Sequence, residues 1–388
     1  MSRLPSRLLL TPLIALGSLR RLFGKRGYPE NPKRILVAHH LLLGDTLMLA
    51  ALLAKLRHNH PDAEIVMSCP RAIAPLFAAN PWGVKALPYD PRKAGTLLRL
   101  ALRRGFQLAL VPGDSRHSLL ARALGTRHVV AQAGDKPKYK NWFVNEQRAW
   151  PETATALPEI FSALALGKEP PPYSPEQWPL APCRDFDRPA GRYAVLHLGA
   201  SSKLKLWPAD RWHALAEILK ADGITPVWSG GHNESALVKA ADPEGRHRSY
   251  AGQLDLLQLA HLLAGACLLV SPDTGVAHLG RITGTPTLTL FGPGSDVLCA
   301  QSKFFANMPA SSLATPIPCR NQRILFRRTL KWVRRCGRGF DDSKRTPNDP
   351  LAPKCGNALC MAAISLESVL LACDQLLQSP ASSGTRTP

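Results

Sequence analysis

From Arg34 onward, short runs rich in Val, Ile and Leu alternate with longer stretches whose apolar residues recur at helical spacing, the signature of parallel βαβ units. In the first half this pattern predicts strands at Ile35–His39, Glu64–Ser68, Val84–Pro88, Leu108–Pro112 and His128–Ala131. Helices are predicted near Asp45–Asn59, Pro91–Arg104, Ser118–Leu124 and Ala154–Leu166. Residues 168–192 interrupt the alternation with seven prolines and several charges, a composition that suits an extended linker. It then resumes, with strands at Tyr193–Leu198, Thr225–Ser229, Arg248–Ala251, Cys267–Ser271 and Thr287–Phe291 and helices starting near Pro208, Asn233, Leu254 and Thr274. Past Pro293 the pattern decays into a basic loop region before Ser365–Leu377 returns as an amphipathic helix. Ser379–Pro388 reads as a disordered tail. No short fixed period recurs, which argues against solenoids and propellers.

At 388 residues the chain is long enough for two domains, and 45% hydrophobic with 20% charged residues is ordinary for a globular protein. The charge balance changes the picture: 49 Lys and Arg against 28 Asp and Glu give a net charge of +21, which calls for anionic company. The excess is concentrated in two patches, with eight Lys and Arg against one Glu in residues 1–34 and ten against two Asp between Arg320 and Arg345. The apolar run Leu8–Leu19 is too short to span a bilayer, and Arg20, Arg21, Lys25 and Arg26 stand where a signal peptidase would need small residues. It reads as an interfacial segment or as a basic disordered leader. Nine cysteines, an odd number without an export signal, point to reduced thiols in the cytosol. Cys319, Cys336, Cys355 and Cys360 lack the short pairs of common zinc sites, so no metal centre is predicted there.

Three strand-to-helix junctions carry candidate chemistry. Leu43-Gly44-Asp45-Thr46 follows the first strand, where Asp45 either caps the helix or projects into the crevice beyond the carboxyl ends of the strands. The stretch from Leu196 to Pro208 has the makings of a phosphate cradle, with Ser201 and Ser202 as hydroxyl donors and Lys205 as a point charge. Lys203 and Lys205 are equally readable as solvated loop residues. The third junction delivers Asp273, Thr274 and Gly275 to a helix N-terminus, a place that favours anions, with His278 one turn down on the Thr274 face. Glu234 in Gly230-Gly231-His232-Asn233-Glu234 could accept from a ribose, or the segment is a simple turn. Dinucleotide and P-loop glycine patterns are absent, and Asp185-Phe186-Asp187 lies in the Pro-rich stretch away from any strand.

The ordered set resembles glycosyltransferase family 9, the ADP-heptose:lipopolysaccharide heptosyltransferases. It comprises Leu-Gly-Asp after the first strand, a Lys two residues before Trp207-Pro208, the G-G-x-x-E loop, Asp273-Thr274-Gly275-x-x-His278, then Gly-Thr-Pro and Phe-Gly-Pro. The resemblance implies an α/β fold of GT-B type, two Rossmann-like domains facing across a cleft with the C-terminal helix returning to the first domain. Mapped here, that gives a leader at 1–30, an acceptor-side domain at 31–167, the linker at 168–192, a sugar-nucleotide domain at 193–360, a helix at 361–378 and a tail at 379–388. It implies Asp45 as general base, Ser201, Ser202 and Lys205 on the diphosphate, Glu234 on the ribose, and Asp273, Thr274, Gly275 and His278 around the donor. It further implies an inverting, metal-independent and cofactor-free transfer from a nucleotide sugar such as ADP-heptose. The acceptor would be lipopolysaccharide or a lipid-linked glycan at the inner face of the cytoplasmic membrane, with no nucleic acid partner. His39-His40-Leu41-Leu42-Leu43 departs from the family pattern of a basic residue and serines ahead of Gly-Asp, so acceptor contacts differ there. The competing expectations are a non-catalytic protein that binds polyanions or membranes, and a GT-B sugar-nucleotide epimerase.

Overall fold

Runs that are apolar on both faces form strands covered on both sides, and the two such sets in this chain build two parallel sheets. The computed structural model describes residues 4–19, 27–300, 302–316, 319–320, 322–336 and 358–378. The predicted tail, Cys355 and the basic residues Arg20, Arg21, Lys25 and Arg26 lie outside the described residues. The chain divides into two units: one holds residues up to Pro172 with Glu176–Ala181 and Ile324–Lys331, and the other holds Tyr173–Pro175, Pro182–Arg323 and the chain from Trp332.

The first unit is built on β1 (Arg34–Ala38), β2 (Glu64–Cys69), β3 (Val84–Pro88), β4 (Leu108–Val111), β5 (His128–Gln132) and β6 (Glu146–Arg148). Their order is β3-β2-β1-β4-β5-β6, all parallel, with Ile35 opposite both Ile65 and Leu108. Order reverses between β1 and β4, the switch point where open α/β sheets bind ligands. The helices are α1 (Leu4–Leu19), α2 (Leu43–Met48), α3 (Ala50–Asn59), α4 (Ala94–Ala101), α5 (His117–Ala123) and α6 (Leu157–Ser162). The single helix predicted over Asp45–Asn59 is two, because the Leu49 N–H bonds one residue short, to the Thr46 carbonyl, and resets the ladder. The predicted Ala154–Leu166 helix is regular only over α6.

The N-terminal run is a helix, and α1 packs on α4 and α5. Leu10 and Leu13 join the core formed by Leu97, Leu100 and Leu120. Gly17 seats α1 on α5: a methyl there would fall 1.9 Å from the Arg122 carbonyl oxygen, so only glycine lets the two helices come together. No helix among the described residues is long and apolar enough to cross a membrane.

The second unit contains β7 (Tyr193–His197), β8 (Thr225–Ser229), β9 (Leu268–Pro272), β10 (Thr287–Phe291) and β11 (Ala310–Ala314) in the order β11-β10-β9-β7-β8. Here the reversal lies between β7 and β9. Its helices are α7 (Ala209–Ala221), α8 (Ser235–Ala241), α9 (Leu256–Ala264), α10 (Gly275–Thr283), α11 (Asp296–Cys299), α12 (Leu359–Ala362) and α13 (Leu366–Gln378). The strand predicted at Arg248–Ala251 reduces to one bridge between Ser249 and Trp228, ended by the left-handed Gly252.

The C-terminal helix does not return to the first unit, contrary to the expectation from the resemblance. Val369, Ala372, Cys373 and Leu376, spaced to share one face of α13, are buried in the same core as Trp207, Trp212 and Leu290 of the second unit. Trp207 Nε1 donates to the Ile364 carbonyl at 2.9 Å, and Arg211 donates to the Ala362 and Ile364 carbonyls, which ties the preceding turn to α7.

What re-enters the first unit is a hairpin, β12 (Ile324–Leu325) and β13 (Arg328–Thr329). Its two turn residues, Phe326 and Arg327, both have positive φ, a conformation that costs non-glycine residues on the order of 1–3 kcal/mol each. Arg328 offsets this strain. Its buried guanidinium donates to the carbonyls of Gly113, Gln132, Ala133 and Phe326, and Asp135 lies 3.6 Å away. Arg320 likewise donates to the carbonyls of Phe291 and Gly292 in the second unit. Part of the basic segment after Arg320 therefore serves internal carbonyls, where composition implied a surface patch.

The Pro-rich stretch is anchored along its length. Trp178 is buried in the first unit with its Nε1 on the Leu76 carbonyl at 2.8 Å, and Tyr173 is buried in the second with its hydroxyl on the Ile282 carbonyl at 2.6 Å. Because Arg328 leaves several carbonyls and Asp135 without their cation when truncated, Arg328→Ala is expected to lower stability by ~3 kcal/mol. Urea unfolding measures it, and a loss below about 0.5 kcal/mol, the range of ordinary surface substitutions, would show that the hairpin is not a clasp.

Candidate active site

In the second unit the loops after β7 and β9 meet at the point where strand order reverses. Lys205, in a short 3-10 turn (Lys203–Lys205), is buried, and its Nζ donates to Asp273 Oδ2 at 2.8 Å and to the Asp273 carbonyl at 2.6 Å. Both side chains are about nine-tenths buried, so each ion depends on the other. Burial pushes the Asp273 carboxyl up, and the Lys205 ammonium more than offsets this and holds it below its ordinary value. Lys205 is thus a buried ion-pair partner, which removes the solvated-loop alternative.

Thr274 caps α10, its hydroxyl accepting from the Val276 N–H at 3.3 Å and lying 3.2 Å from the Ser271 hydroxyl. The half-buried Gly275 opens the helix, and the first-turn N–H groups of a helix are an environment that favours negative charge. His278 is buried behind it, and burial with the nearby Arg281 pushes its imidazole down to about 3. Asp273, His278 and Cys299 bring ligand atoms within 4.8 Å of one another, a spacing that could hold a cation. Lys205 already occupies Asp273 Oδ2, so this carboxylate is neutralised by an ammonium.

The other predicted donor residues are placed less uniformly. Ser202 accepts from the Leu204 N–H at 3.3 Å and so caps the turn that carries Lys205, while Ser201 is exposed. Glu234 accepts from the Gly231 N–H at 2.5 Å and reaches the loop after β7, since a methyl at Gly199 would fall 1.7 Å from its Oε2. Gly294 plays the same part beside Asp273, where a methyl would fall 2.3 Å from Oδ2. Gly199 and Gly294 both lie within three residues of a strand end, and glycine in a loop that leaves a strand is the sequence signal for such close approach.

In the first unit Asp45 is half-buried in the first turn of α2, three residues after the N-cap, which is Leu42 with no side-chain bond. Asp45 is therefore not the N-cap residue of this helix. At the β1/β4 reversal a cavity of about 680 Å³ is lined by His40, Tyr89, Asp90, Asp114 and His117, with Leu10 and Ile14 of α1 along another side. Sequence reasoning missed this cavity because its walls come from segments up to about 130 residues apart. Asp114 accepts from Arg116 through both carboxylate oxygens and lies 3.1 Å from Lys140 Nζ, which also holds the buried Asp135 at 3.0 Å. Burial pushes Asp114 up, and these two cations outweigh it and hold the carboxyl far below its ordinary value. Of the four cysteines weighed as a metal site, Cys336 and Cys360 are buried and Cys319 is half-buried, and Cys355 lies outside the described residues.

Two outcomes follow from these charges. Lys205→Met strands a buried carboxylate and is expected to cost ~3–5 kcal/mol, with most of the loss recovered when Asp273→Asn is added; equal loss in single and double variants in urea unfolding would contradict the pairing. His117 and His197 are pushed by burial down to about 4 and His278 to about 3, against an ordinary 6.5. Because the folded values are depressed, their stabilising contribution is complete above pH 6.5 and is lost as pH falls toward 4. Unfolding free energy should therefore drop between pH 7 and pH 5, and a flat profile across that window would contradict the depressed imidazoles.

The comparisons with known proteins agree with one another. A family model described as glycosyltransferase family 9 (heptosyltransferase) matches residues 97–314. Lipooligosaccharide heptosyltransferase 2 of Haemophilus influenzae is 23% identical over 291 residues, covering 67% of this chain and 84% of that protein. Among solved structures, a glycosyl transferase family 9 protein from Veillonella parvula superposes with a TM-score of 0.65 at 17% identity, covering 90% of this chain and 98% of the other. The E. coli ADP-heptose lps heptosyltransferase II gives 0.63 at 18% identity, with 89% and 98% covered. Two parallel α/β units with these neighbours constitute the GT-B fold. With the family model spanning more than half of its length, the chain belongs to glycosyltransferase family 9, the heptosyltransferase family, and is a glycosyltransferase.

Proposed function

We propose that this enzyme transfers heptose, or a closely related sugar, from ADP-heptose to a lipopolysaccharide core or other lipid-linked glycan, with inversion at the anomeric carbon and without a metal ion. The observation that carries this reading is the convergence of Lys205, Asp273 and the α10 N-terminus at the strand-order reversal of the second unit. The departing nucleoside diphosphate requires positive charge, and the α10 N-terminus supplies part of it, with the Lys205 ammonium beside it once its pairing with Asp273 is shared with a phosphate oxygen. Glu234, beside Gly199, is positioned to accept from ribose hydroxyls, and Ser201 and Ser202 flank the same loop.

Asp45 is the proposed base. Attack on the anomeric carbon requires the acceptor hydroxyl to lose its proton as the new bond forms, and a carboxylate on the first turn after β1 can take it. The basic N-terminal segment and the net charge of +21 support a location in the cytoplasm against the anionic inner face of the membrane, where a phosphorylated glycolipid acceptor resides. The names of the relatives, lipooligosaccharide heptosyltransferase 2 and ADP-heptose lps heptosyltransferase II, support the same donor and acceptor classes. The polyanion-binding alternative does not account for the buried Lys205–Asp273 pair.

Asp45→Asn is expected to reduce transfer by ~10²–10⁴-fold while leaving donor affinity within about twofold, and EDTA should leave the wild-type rate unchanged. Product formation with ADP-heptose and a purified core acceptor measures both. Unchanged turnover in the variant would remove Asp45 from the mechanism, and loss of rate in EDTA would remove the ammonium's role as sole counter-charge.

A further inference from the structure

The second unit holds a nucleophile that the proposed transfer does not use. Cys299 ends α11, the short helix after β10, carries a thiol rather than a disulfide, and is half-buried. Its sulfur, a carboxylate oxygen of Asp273 and a ring nitrogen of His278 all lie within 4.8 Å of one another. The thiol therefore stands at the Lys205–Asp273 pair, beside the first turn of α10. The other half-buried thiols, Cys183, Cys267 and Cys319, belong to no such group of imidazole, thiol and carboxylate atoms among the described residues.

His278 marks this spot as a place for a polar ligand. Its residue is only 7% exposed, yet among the described residues no hydrogen bond reaches its ring. Burial keeps the imidazole neutral at physiological pH, so it offers one donor and one acceptor beside the sulfur. The surrounding charge selects the sign of that ligand. Lys205 donates to Asp273, the Arg335 guanidinium attracts the same carboxylate, and the buried Arg281 donates to the Cys299 carbonyl and is attracted to both Asp273 and the Cys299 thiolate. Three cations around one carboxylate repel a metal ion and draw in an anion. The thiolate favoured by the Arg281 guanidinium is also the form that attacks disulfides.

We propose that Cys299 is a thiol-modification site taken by a small anionic disulfide of the glutathione class, and that the mixed disulfide formed there closes the diphosphate position. The Cys299 thiolate attacks one sulfur of the disulfide, and a bond to Cys299 forms as the S–S bond of the reagent breaks. The leaving thiolate carries away the electron pair and takes up a proton, while the proton given up by Cys299 passes to solvent. The disulfide is itself the oxidant. Carboxylates of the attached peptide then lie among the cations that would meet the donor diphosphate. This consequence rests on the donor reading above, whereas the exchange reaction does not.

The test uses the full-length protein, fully reduced and then exposed to glutathione disulfide, to hydroxyethyl disulfide as a neutral counterpart and to cystamine as a cationic one. Mass spectrometry with peptide mapping gives the rate and position of addition, each rate taken relative to that of the same disulfide with N-acetylcysteine. Calorimetric titration gives the ADP dissociation constant before and after modification. Glutathione disulfide should add first at Cys299, with a relative rate at least about tenfold above that of cystamine and with hydroxyethyl disulfide between them. Saturating ADP should slow the addition at least tenfold, the adduct should weaken ADP binding at least tenfold, and dithiothreitol should restore it. Cys299→Ser should keep ADP affinity within about twofold of the wild type and lose the sensitivity to glutathione disulfide, and Cys299→Ala repeats the measurement if serine disturbs folding. Addition first at Cys183, Cys267 or Cys319, or cystamine matching glutathione disulfide, overturns the proposal. An adduct at Cys299 that leaves ADP binding unchanged overturns it too, with the donor reading intact. If the unmodified protein fails to bind ADP, the donor reading falls and the closure of the diphosphate position falls with it, while mapping and charge preference still decide whether Cys299 is the modified thiol.

Discussion

Each parallel sheet in this protein reverses its strand order once, and that constraint locates everything of chemical interest. Connections to either side of the reversal depart in opposite directions, so the carboxyl ends of the two flanking strands are left with a crevice between them. In the first unit the flanking strands are β1 and β4, and the loops after them supply His40, Asp114 and His117, with Asp45 on the helix that follows β1. In the second they are β7 and β9, and the loops after them supply Lys205 and Asp273. The two units differ in strand order, and both obey the rule.

Buried charge is the second organising feature. A +21 chain would be expected to display its cations, yet Lys205, Lys140 and Arg328 are all buried and satisfied by carboxylates or carbonyls. Isolated ions cannot remain in such places, so each is fixed by a partner from another part of the chain. Lys205 and Asp273 are 68 residues apart, and Arg328 reaches a carbonyl 215 residues away. These pairs set the geometry of the loops that carry the candidate site, and they explain why small residues recur beside them: Gly294 exists where the Asp273 carboxylate leaves no room for a methyl.

Chain return is handled in an unexpected way. The hairpin Ile324–Lys331 belongs to the first unit although the residues on both sides of it belong to the second, and its strained Phe326-Arg327 turn is held by Arg328. Helix α13, which the family resemblance assigned to that task, instead completes the hydrophobic layer over the second sheet. The difference follows from what each segment can bury: α13 presents an apolar face that needs a sheet, whereas the hairpin presents an arginine that needs carbonyls.

Local pattern determined many strands almost to the residue, as at Thr225–Ser229 and Thr287–Phe291, because a strand buried on both faces is rich in apolar residues and bounded by turns. It also marked the strand-to-helix junctions, where Asp45, Lys205, Asp273 and Thr274 stand in a recognisable order. The short edge strands Glu146–Arg148 and Ala310–Ala314 were not legible, since their polar or half-buried residues carry no period. Nor could sequence say that Lys205 is paired with Asp273, that Gly17 seats a helix on α5, or that a cavity lies beneath that helix. Those facts depend on contacts between residues far apart along the chain, and only the packed structure brings such residues close enough for charge and volume to choose among them.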